Sequence, residues 1–94
     1  MQTSKKHLFL AKNFKALSDK NRLRVLCVIY DRKKVCVSDI AEKLNISVAI
    51  VSHHLHALAK AGLVAPNRDG KKVCYLLLKT PFASDLKKLV CKYK

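Results

Sequence analysis

The side chains best suited to specific contacts with another molecule fall on one face of a helix predicted over residues 47–61. On a wheel of about 100° per residue, Val51, Leu55 and Leu58 fall together and must face a core. The opposite face carries a small residue, a hydroxyl, two imidazoles and an ammonium group, from Ala49, Ser52, His53, His56 and Lys60. Hydroxyl and imidazole groups can donate to or accept from base edges, and a methyl group can contact thymine. This face is therefore a candidate for reading bases in a major groove of DNA.

A second short amphipathic helix precedes this one and positions it. Ser38 is the expected N-cap of that helix, whose core-facing residues are Ile40, Ala41 and Leu44. A tight turn at residues 45–47 then leads to Ser47, which caps the second helix and counts among the expected DNA contacts. Two such helices joined by a short turn predict a helix-turn-helix.

A β-hairpin is predicted directly after these helices. Gly62 ends the helix, the first strand starts at Leu63, and the second runs from Val73 to Leu78. Asp69-Gly70 between them is a strong turn signal. The basic residues around the turn are Arg68, Lys71 and Lys72, within an expected wing over residues 66–73. Such a tip would contact phosphates and position the protein without reading sequence.

Three further helices complete the prediction, over residues 5–17, about 20–30 and 81–93. Ser18-Asp19 and Thr80-Pro81 are the expected starts of the second and last of these. The first helix has two apolar faces, one with Leu10, Phe14 and Leu17 and one with Leu8, Phe9 and Ala16. One face would meet the core and the other a partner chain. The last helix has a single apolar stripe, formed by Phe82, Leu86, Leu89, Val90 and Tyr93. The fold class predicted is mainly α with a β-hairpin wing, as one winged helix-turn-helix domain over residues 1–94, with about five helices and two strands.

The composition favours a polyanionic partner. The 94 residues include 20 lysines and arginines against 6 acidic residues, which gives a formal net charge of +14.

There is no apolar run long enough to span a bilayer and no convincing signal peptide, so a cytoplasmic protein without a membrane partner is expected. Phosphate-loop, nucleophile-elbow and HExxH motifs are lacking, so the sequence predicts no enzyme. The cysteine spacing fits no zinc finger, and in a reducing cytosol all four cysteines are expected to be thiols, namely Cys27, Cys36, Cys74 and Cys91.

The sequence resembles the ArsR/SmtB family of bacterial and archaeal repressors over about residues 8–90. The resemblance lies in FKALSD (14–19), NRLRVL (21–26), VSDIA (37–41), VSHHL (51–55), AGLV (61–64) and RDGKKVCY (68–75). It implies a homodimer, formed through the first and last helices, that binds palindromic double-stranded DNA operators. It also implies an effector that weakens DNA binding.

The resemblance leaves three possibilities for the effector. A soft metal is one, but the family's CVCD site reads Cys36-Val37-Ser38-Asp39 here, and its site on the last helix lacks a histidine, so Cys36 is only a weak metal candidate. The second is a thiol switch, because the family's sulfide sensors carry one cysteine on helix 2 and one on the last helix, as Cys27 and Cys91 do here. The third is that there is no effector.

Two other functions remain open from the sequence. A nucleoid-like or RNA-binding protein would use charge without sequence readout and bind any duplex with a steep salt dependence. The second open function is that of a winged helix that binds only proteins. The basic wing argues against it, as does the helix face that carries Ser52, His53 and His56.

Overall fold

The computed structural model describes residues 4–94 and confirms the predicted order of four helices, a hairpin and a last helix. The helices are α1 (Lys5–Ala16), α2 (Lys20–Arg32), α3 (Val37–Leu44), α4 (Val48–Lys60) and α5 (Pro81–Tyr93). The strands are β1 (Lys34–Cys36), β2 (Val64–Asp69) and β3 (Lys72–Leu77). Within the described residues, no helix is long and apolar enough to cross a membrane.

Local capping explains where most helices begin. The side chains of Asp19, Ser47 and Thr80 accept hydrogen bonds from the backbone N–H groups of Arg22, Ile50 and Ala83, which otherwise would lack helical partners. These three caps were expected from the sequence. The predicted cap at Ser38 is wrong, because the N-cap of α3 is Cys36, two residues earlier, and Cys36 makes no side-chain capping bond.

The early start of α3 follows from β1, a strand that was not among the two expected from the sequence. β1 pairs with β3 in antiparallel register, Val35 opposite Tyr75 and Cys36 opposite Cys74, and the sheet order is β1-β3-β2. Val35 and Val37 are both buried, so the chain passes from strand to helix within the core. The sheet therefore has three strands rather than the two expected.

The core centres on α2, which is apolar on nearly all sides. Val25, Leu26 and Ile29 are fully buried. They belong to one cluster with side chains of α3, α4, the sheet and α5, among them Ile40, Leu55, Leu58, Val64 and Leu86. Burial of such side chains is the main stabilising contribution to a domain of this size.

The two apolar faces predicted for α1 are divided differently in the structure. Leu17 is buried, but Phe14 is 57% exposed and lies with Leu8 and Phe9 among the exposed apolar side chains, whereas Ala16 packs against the core. On α5, Leu86 of the predicted stripe is buried, and Leu89 and Tyr93 are exposed. We call Leu8, Phe9, Phe14, Leu89 and Tyr93 the α1–α5 apolar set. The Phe9 ring packs edge-on against Phe82 of α5, with centroids 5.2 Å apart, so the two helices adjoin.

A disulfide joins Cys36 of β1 to Cys74 of β3. The expectation that all four cysteines are thiols is therefore wrong for this pair, while Cys27 and Cys91 are free. Sequence spacing gave no sign of it, because the two residues are 38 positions apart and become neighbours only through strand pairing. The bond connects the segment leading into α3 with the second strand of the hairpin.

His54 is a buried polar residue that connects α4 to the start of α2. It is 6% exposed, its Nδ1 accepts a hydrogen bond from Arg22 Nε at 3.4 Å, and its Nε2 lies 4.0 Å from Asp19 Oδ1. Burial lowers the pKa of His54 below its ordinary 6.5, Arg22 and His53 lower it further, and Asp19 opposes the shift. The folded protein therefore favours the neutral imidazole.

We predict that reduction of the Cys36–Cys74 disulfide lowers the free energy of unfolding by about 2–4 kcal/mol, because the bond restricts the unfolded chain. Urea unfolding followed by circular dichroism, with and without dithiothreitol, measures the change. A Cys27→Ala/Cys91→Ala variant, which retains the disulfide, should show the same dependence on reductant as wild type. Equal midpoints in both conditions would contradict a stabilising bond.

We also predict that stability falls as the pH falls below 6.5. Below pH 6.5 the unfolded chain binds more protons at His54 than the folded chain does. The contribution of the neutral His54 side chain to the free energy of unfolding is therefore complete above pH 6.5, and it is lost as the pH drops through the lower pKa of the folded state. Replacing His54 by Gln should flatten this part of the pH profile of the unfolding midpoint. His7→Gln, at an exposed position, is the matched control and should retain the wild-type profile. An unchanged slope in the His54→Gln variant would refute this assignment.

Candidate nucleic-acid interface

The turn between α3 and α4 fixes the direction in which α4 leaves the core. Asn45 adopts a left-handed conformation with φ 56° and ψ 47°, which asparagine tolerates better than most residues. The N–H of Ile46 donates to the carbonyl of Ala41 at 3.1 Å, which satisfies a carbonyl at the end of α3. Ser47 then starts α4 by accepting from the N–H of Ile50 at 3.1 Å.

The apolar side of α4 holds the helix in a defined rotation about its axis. Val51, Leu55 and Leu58 are all fully buried, as the helical wheel predicted. The expected contact residues follow on the outer side, where Ala49, His53, His56 and Lys60 are exposed and Ser52 is half-buried. Ser47 is also exposed, but its hydroxyl oxygen is engaged in the capping bond. The predicted surface of α4 is therefore accessible in full, with Ser47 serving a structural role as well.

The hairpin that forms the wing turns at Gly70 and Lys71. Asp69 is opposite Lys72 in the register, and Gly70 has a φ of 62°, a conformation that glycine adopts without steric cost. Arg68, Lys71 and Lys72 are exposed around this turn. Three cationic side chains therefore surround the tip of the wing, as expected.

Two adjoining grooves bring the outer face of α4 and the wing together. The larger, about 960 Å³, is bordered by His53, His56 and Lys60 from α4 and by Arg68 from the wing. The second, about 480 Å³, is bordered by Ser52 and His56 together with Arg68, Lys71 and Lys72. All the expected contact residues except Ser47 and Ala49 line one groove or the other. Hydroxyl and imidazole groups thus face the same concave surface as four cationic side chains.

Sequence reasoning missed Tyr75, which lines both grooves from β3 although it is 4% exposed. Val73, two positions earlier on the same face of the strand, also lines both. The alternation of side chains along the predicted return strand was the signal that could have placed Val73 and Tyr75 together. These residues form an apolar wall between the helix and the basic tip.

The two free cysteines lie away from these grooves. Cys27 on α2 is half-buried and Cys91 on α5 is exposed. Burial raises the pKa of the Cys27 thiol, the Lys94 ammonium opposes the shift, and the proximity of Cys91 raises it further. Lys94 is held beside them by an ion pair with Asp31, at 2.6 Å. Cys27 and Cys91 are the two residues of the predicted thiol switch, and both are free in the structure.

The residues around Cys36 do not fit a metal site. Its sulfur is bonded to Cys74, and Ser38 stands where the family's site supplies a second thiolate. Over residues 4–94, no group of three or more histidine, cysteine, aspartate or glutamate side chains is placed to hold a metal ion. The weak metal candidate from the sequence therefore gains no partner ligands from the fold.

Known proteins with similar sequences are regulators. The model of the family described as "Bacterial regulatory protein, arsR family" matches residues 19–65, half of the chain. The cadmium resistance transcriptional regulatory protein CadC of Listeria innocua is 45% identical over 64 residues, which are 68% of this chain and 54% of CadC. The chain thus spans about half the length of the curated relatives it matches.

Solved structures extend the likeness to almost the whole chain. HlyU from Vibrio cholerae, also solved in a reduced form, superposes with a TM-score of 0.83 at 26% identity, covering 97% of this chain and 98% of HlyU. A homodimeric winged helix-turn-helix DNA-binding domain from Mycobacterium bovis superposes with a TM-score of 0.79 at 26% identity, covering 98% and 86%.

The family match, the shared fold and the α4–wing grooves agree with one another and with the resemblance seen in the sequence. The family is one of transcriptional regulators and not of enzymes, which confirms the expectation drawn from the motifs. The chain belongs to the ArsR family of bacterial regulatory proteins and has a winged helix-turn-helix fold.

Proposed function

We propose that this chain is a sequence-specific, DNA-binding transcriptional repressor of ArsR type. The observation that supports this most is the placement of the outer face of α4 and the basic wing on one concave surface. Ser52, His53 and His56 would contact base edges in the major groove, with Ala49 available to a thymine methyl. Lys60, Arg68, Lys71 and Lys72 would contact phosphates on either side.

The repressor acts, in this proposal, as a homodimer on a palindromic operator. The α1–α5 apolar set leaves large apolar side chains exposed, with Leu8 at 59%, Leu89 at 56% and Tyr93 at 76%. A second copy would bury these residues, and an isologous contact would place the two α4 helices for consecutive half-sites. The homodimeric Mycobacterium bovis domain supports this arrangement.

The proposed location is the cytoplasm, where the expected DNA partner also lies. Cellular reductants make disulfides uncommon there, so the Cys36–Cys74 bond would be subject to reduction.

The free pair Cys27 and Cys91 is the proposed effector site. One thiolate would attack a polysulfide sulfur and displace sulfide, and the second would attack the resulting persulfide and displace hydrosulfide, so that a Cys27–Cys91 disulfide forms and both thiol protons leave with the sulfide products. Linking α2 to α5 would change the dimer contact and weaken operator binding.

A soft metal ion is the less favoured effector. CadC is a cadmium resistance regulator, and an antimony-specific repressor, AntR, is among the similar structures. Against this, the sulfur of Cys36 is taken up by Cys74 and no multi-ligand cluster exists over residues 4–94.

The alternative of a charge-driven, nonspecific nucleic-acid-binding protein is favoured by one observation, the net charge of +14. Substitutions at the proposed base-contacting and phosphate-contacting residues distinguish this alternative from a sequence-specific repressor.

We predict that His53→Ala weakens binding to the operator by about tenfold or more and leaves binding to a scrambled duplex nearly unchanged, because a base-edge contact is lost. Fluorescence anisotropy on the palindrome nearest the protein's own gene and on its scrambled version measures both. His7→Ala, at an exposed histidine on α1, is the control. Equal losses on both duplexes would show that His53 does not read bases.

We predict that Lys71→Ala weakens binding to both duplexes and lowers the slope of log affinity against log salt by about 1 per protomer, because one phosphate contact disappears. Lys5→Ala, which removes the same charge at an exposed position on α1, should leave the slope close to wild type. An unchanged slope in Lys71→Ala would place the wing away from the backbone.

We predict that polysulfide treatment of the metal-free, reduced protein abolishes operator binding, and that Cys27→Ser or Cys91→Ser prevents the loss. The same anisotropy assay at one fixed salt concentration measures it, and Cys36→Ser/Cys74→Ser is the control that retains the free pair. If binding by the wild-type protein survives treatment, the thiol switch is excluded while the DNA-binding proposal stands.

A further inference from the structure

The exposed large apolar side chains of residues 4–94 fall into two groups. Five of them form the α1–α5 apolar set. The others are Val48 and Ile50 on α4 and Val73 on β3. Val48 and Val73 both line the second groove between α4 and the wing. Exposed apolar surface outside the proposed dimer contact is therefore concentrated on the two elements of the candidate DNA surface.

The first turn of α4 consists of apolar residues that the core does not cover. Val48, Ala49 and Ile50 directly follow the Ser47 cap, and all three are exposed, with Val48 at 52% and Ile50 at 47%. A run of three exposed apolar residues is disfavoured on a solvated surface unless it serves a contact. No acidic side chain lies in this turn, so no carboxylate there repels a duplex. The turn is therefore suited to an apolar contact with a polyanionic partner.

These side chains surround the end of α4 that a helix-turn-helix presents to bases. In such motifs the N-terminal residues of the second helix contact base edges in the major groove. Successive side chains on a helix are about 100° apart, so Val48 and Ile50 flank Ala49 on its two sides. Val48 lies one turn before Ser52, with which it lines the second groove, and Ile50 lies one turn before the exposed His53.

The major groove offers one apolar group to such side chains, the C5-methyl group of thymine. Valine and isoleucine are β-branched and have one strongly preferred rotamer in a helix. Their methyl groups therefore keep fixed positions before DNA arrives and lose little freedom on contact. Packing against a thymine methyl group would also remove apolar surface of both partners from water.

We propose that Val48 and Ile50 determine operator specificity by packing against C5-methyl groups in the major groove. This inference deepens the proposed function and rests on it. Neither residue belongs to the contacts expected from the sequence, because neither lies opposite the buried face of α4 on the helical wheel. Burying one methyl-sized group changes binding by about fourfold. Each contacted position occurs in both halves of an inverted repeat, so the total effect is about tenfold or more.

The test replaces every thymine of the palindrome nearest the protein's own gene by 2′-deoxyuridine, which removes the C5-methyl groups and keeps the hydrogen-bonding groups of the bases. Fluorescence anisotropy with the full chain, at one fixed salt concentration, measures the affinity for both duplexes. We expect the wild-type protein to bind the deoxyuridine duplex about tenfold or more weakly. Val48→Ala and Ile50→Ala should each bring the ratio of the two affinities closer to 1. Both substitutions are at exposed helical positions, where alanine favours the helix, so the variants should fold.

Lys71→Ala is the matched control, because it removes a proposed phosphate contact rather than an apolar one. It should weaken binding to both duplexes by the same factor and leave their ratio at the wild-type value. A second comparison isolates the methyl group from the rest of thymine. Wherever a single deoxyuridine weakens binding, 5-methylcytosine at that position should be bound more tightly than cytosine.

Equal affinities of the wild-type protein for the two duplexes would overturn this proposal and leave sequence-specific binding intact. An unchanged ratio in both Val48→Ala and Ile50→Ala would also overturn it, because other residues would then sense the methyl groups. If the wild-type protein shows no preference for the unmodified palindrome over its scrambled version, the proposed function itself fails, and this inference fails with it.

Discussion

The packing of α4 against the core is the interaction on which the rest of the structure depends. Val51, Leu55 and Leu58 are fully buried in the cluster built around α2, and this fixes both the rotation and the position of α4. The cap at Ser47 fixes where the helix starts. Because the two sides of a helix are coupled, the same burial determines which polar side chains face outward. A substitution in this buried face would therefore disturb the candidate DNA surface without touching it.

The sheet provides the second constraint, because the wing must lie at a set distance from α4. β3 is paired on both sides, by β1 and by β2, so the hairpin is anchored to the segment that enters α3. The Cys36–Cys74 bond makes that anchor covalent. Helix-turn-helix and wing are thus joined through β1, and the grooves between them keep their shape as one unit.

The helices were predictable because their signals are local. Asp19, Ser47 and Thr80 mark three helix starts by their side chains alone, and the period of Val51, Leu55 and Leu58 specifies the buried face of α4. The failures concern features set by distant residues. Pairing of a three-residue strand and the Cys36–Cys74 bond depend on segments 38 positions apart. Likewise, the exposure of Phe14 depends on which side of α1 meets the core, and the apolar pattern of that helix offered two sides.

The central claim is that α4 and the wing read one palindromic DNA sequence, and selection from a pool of random duplexes tests it most directly. The full chain is mixed with the pool at physiological salt, bound duplexes are recovered, and their sequences are compared with the starting pool. The account predicts strong enrichment of one inverted repeat, with half-site centres about one helical turn apart. Recovery of duplexes with the composition of the starting pool, all bound with similar affinity, would contradict it and would leave a charge-driven nucleic-acid-binding protein.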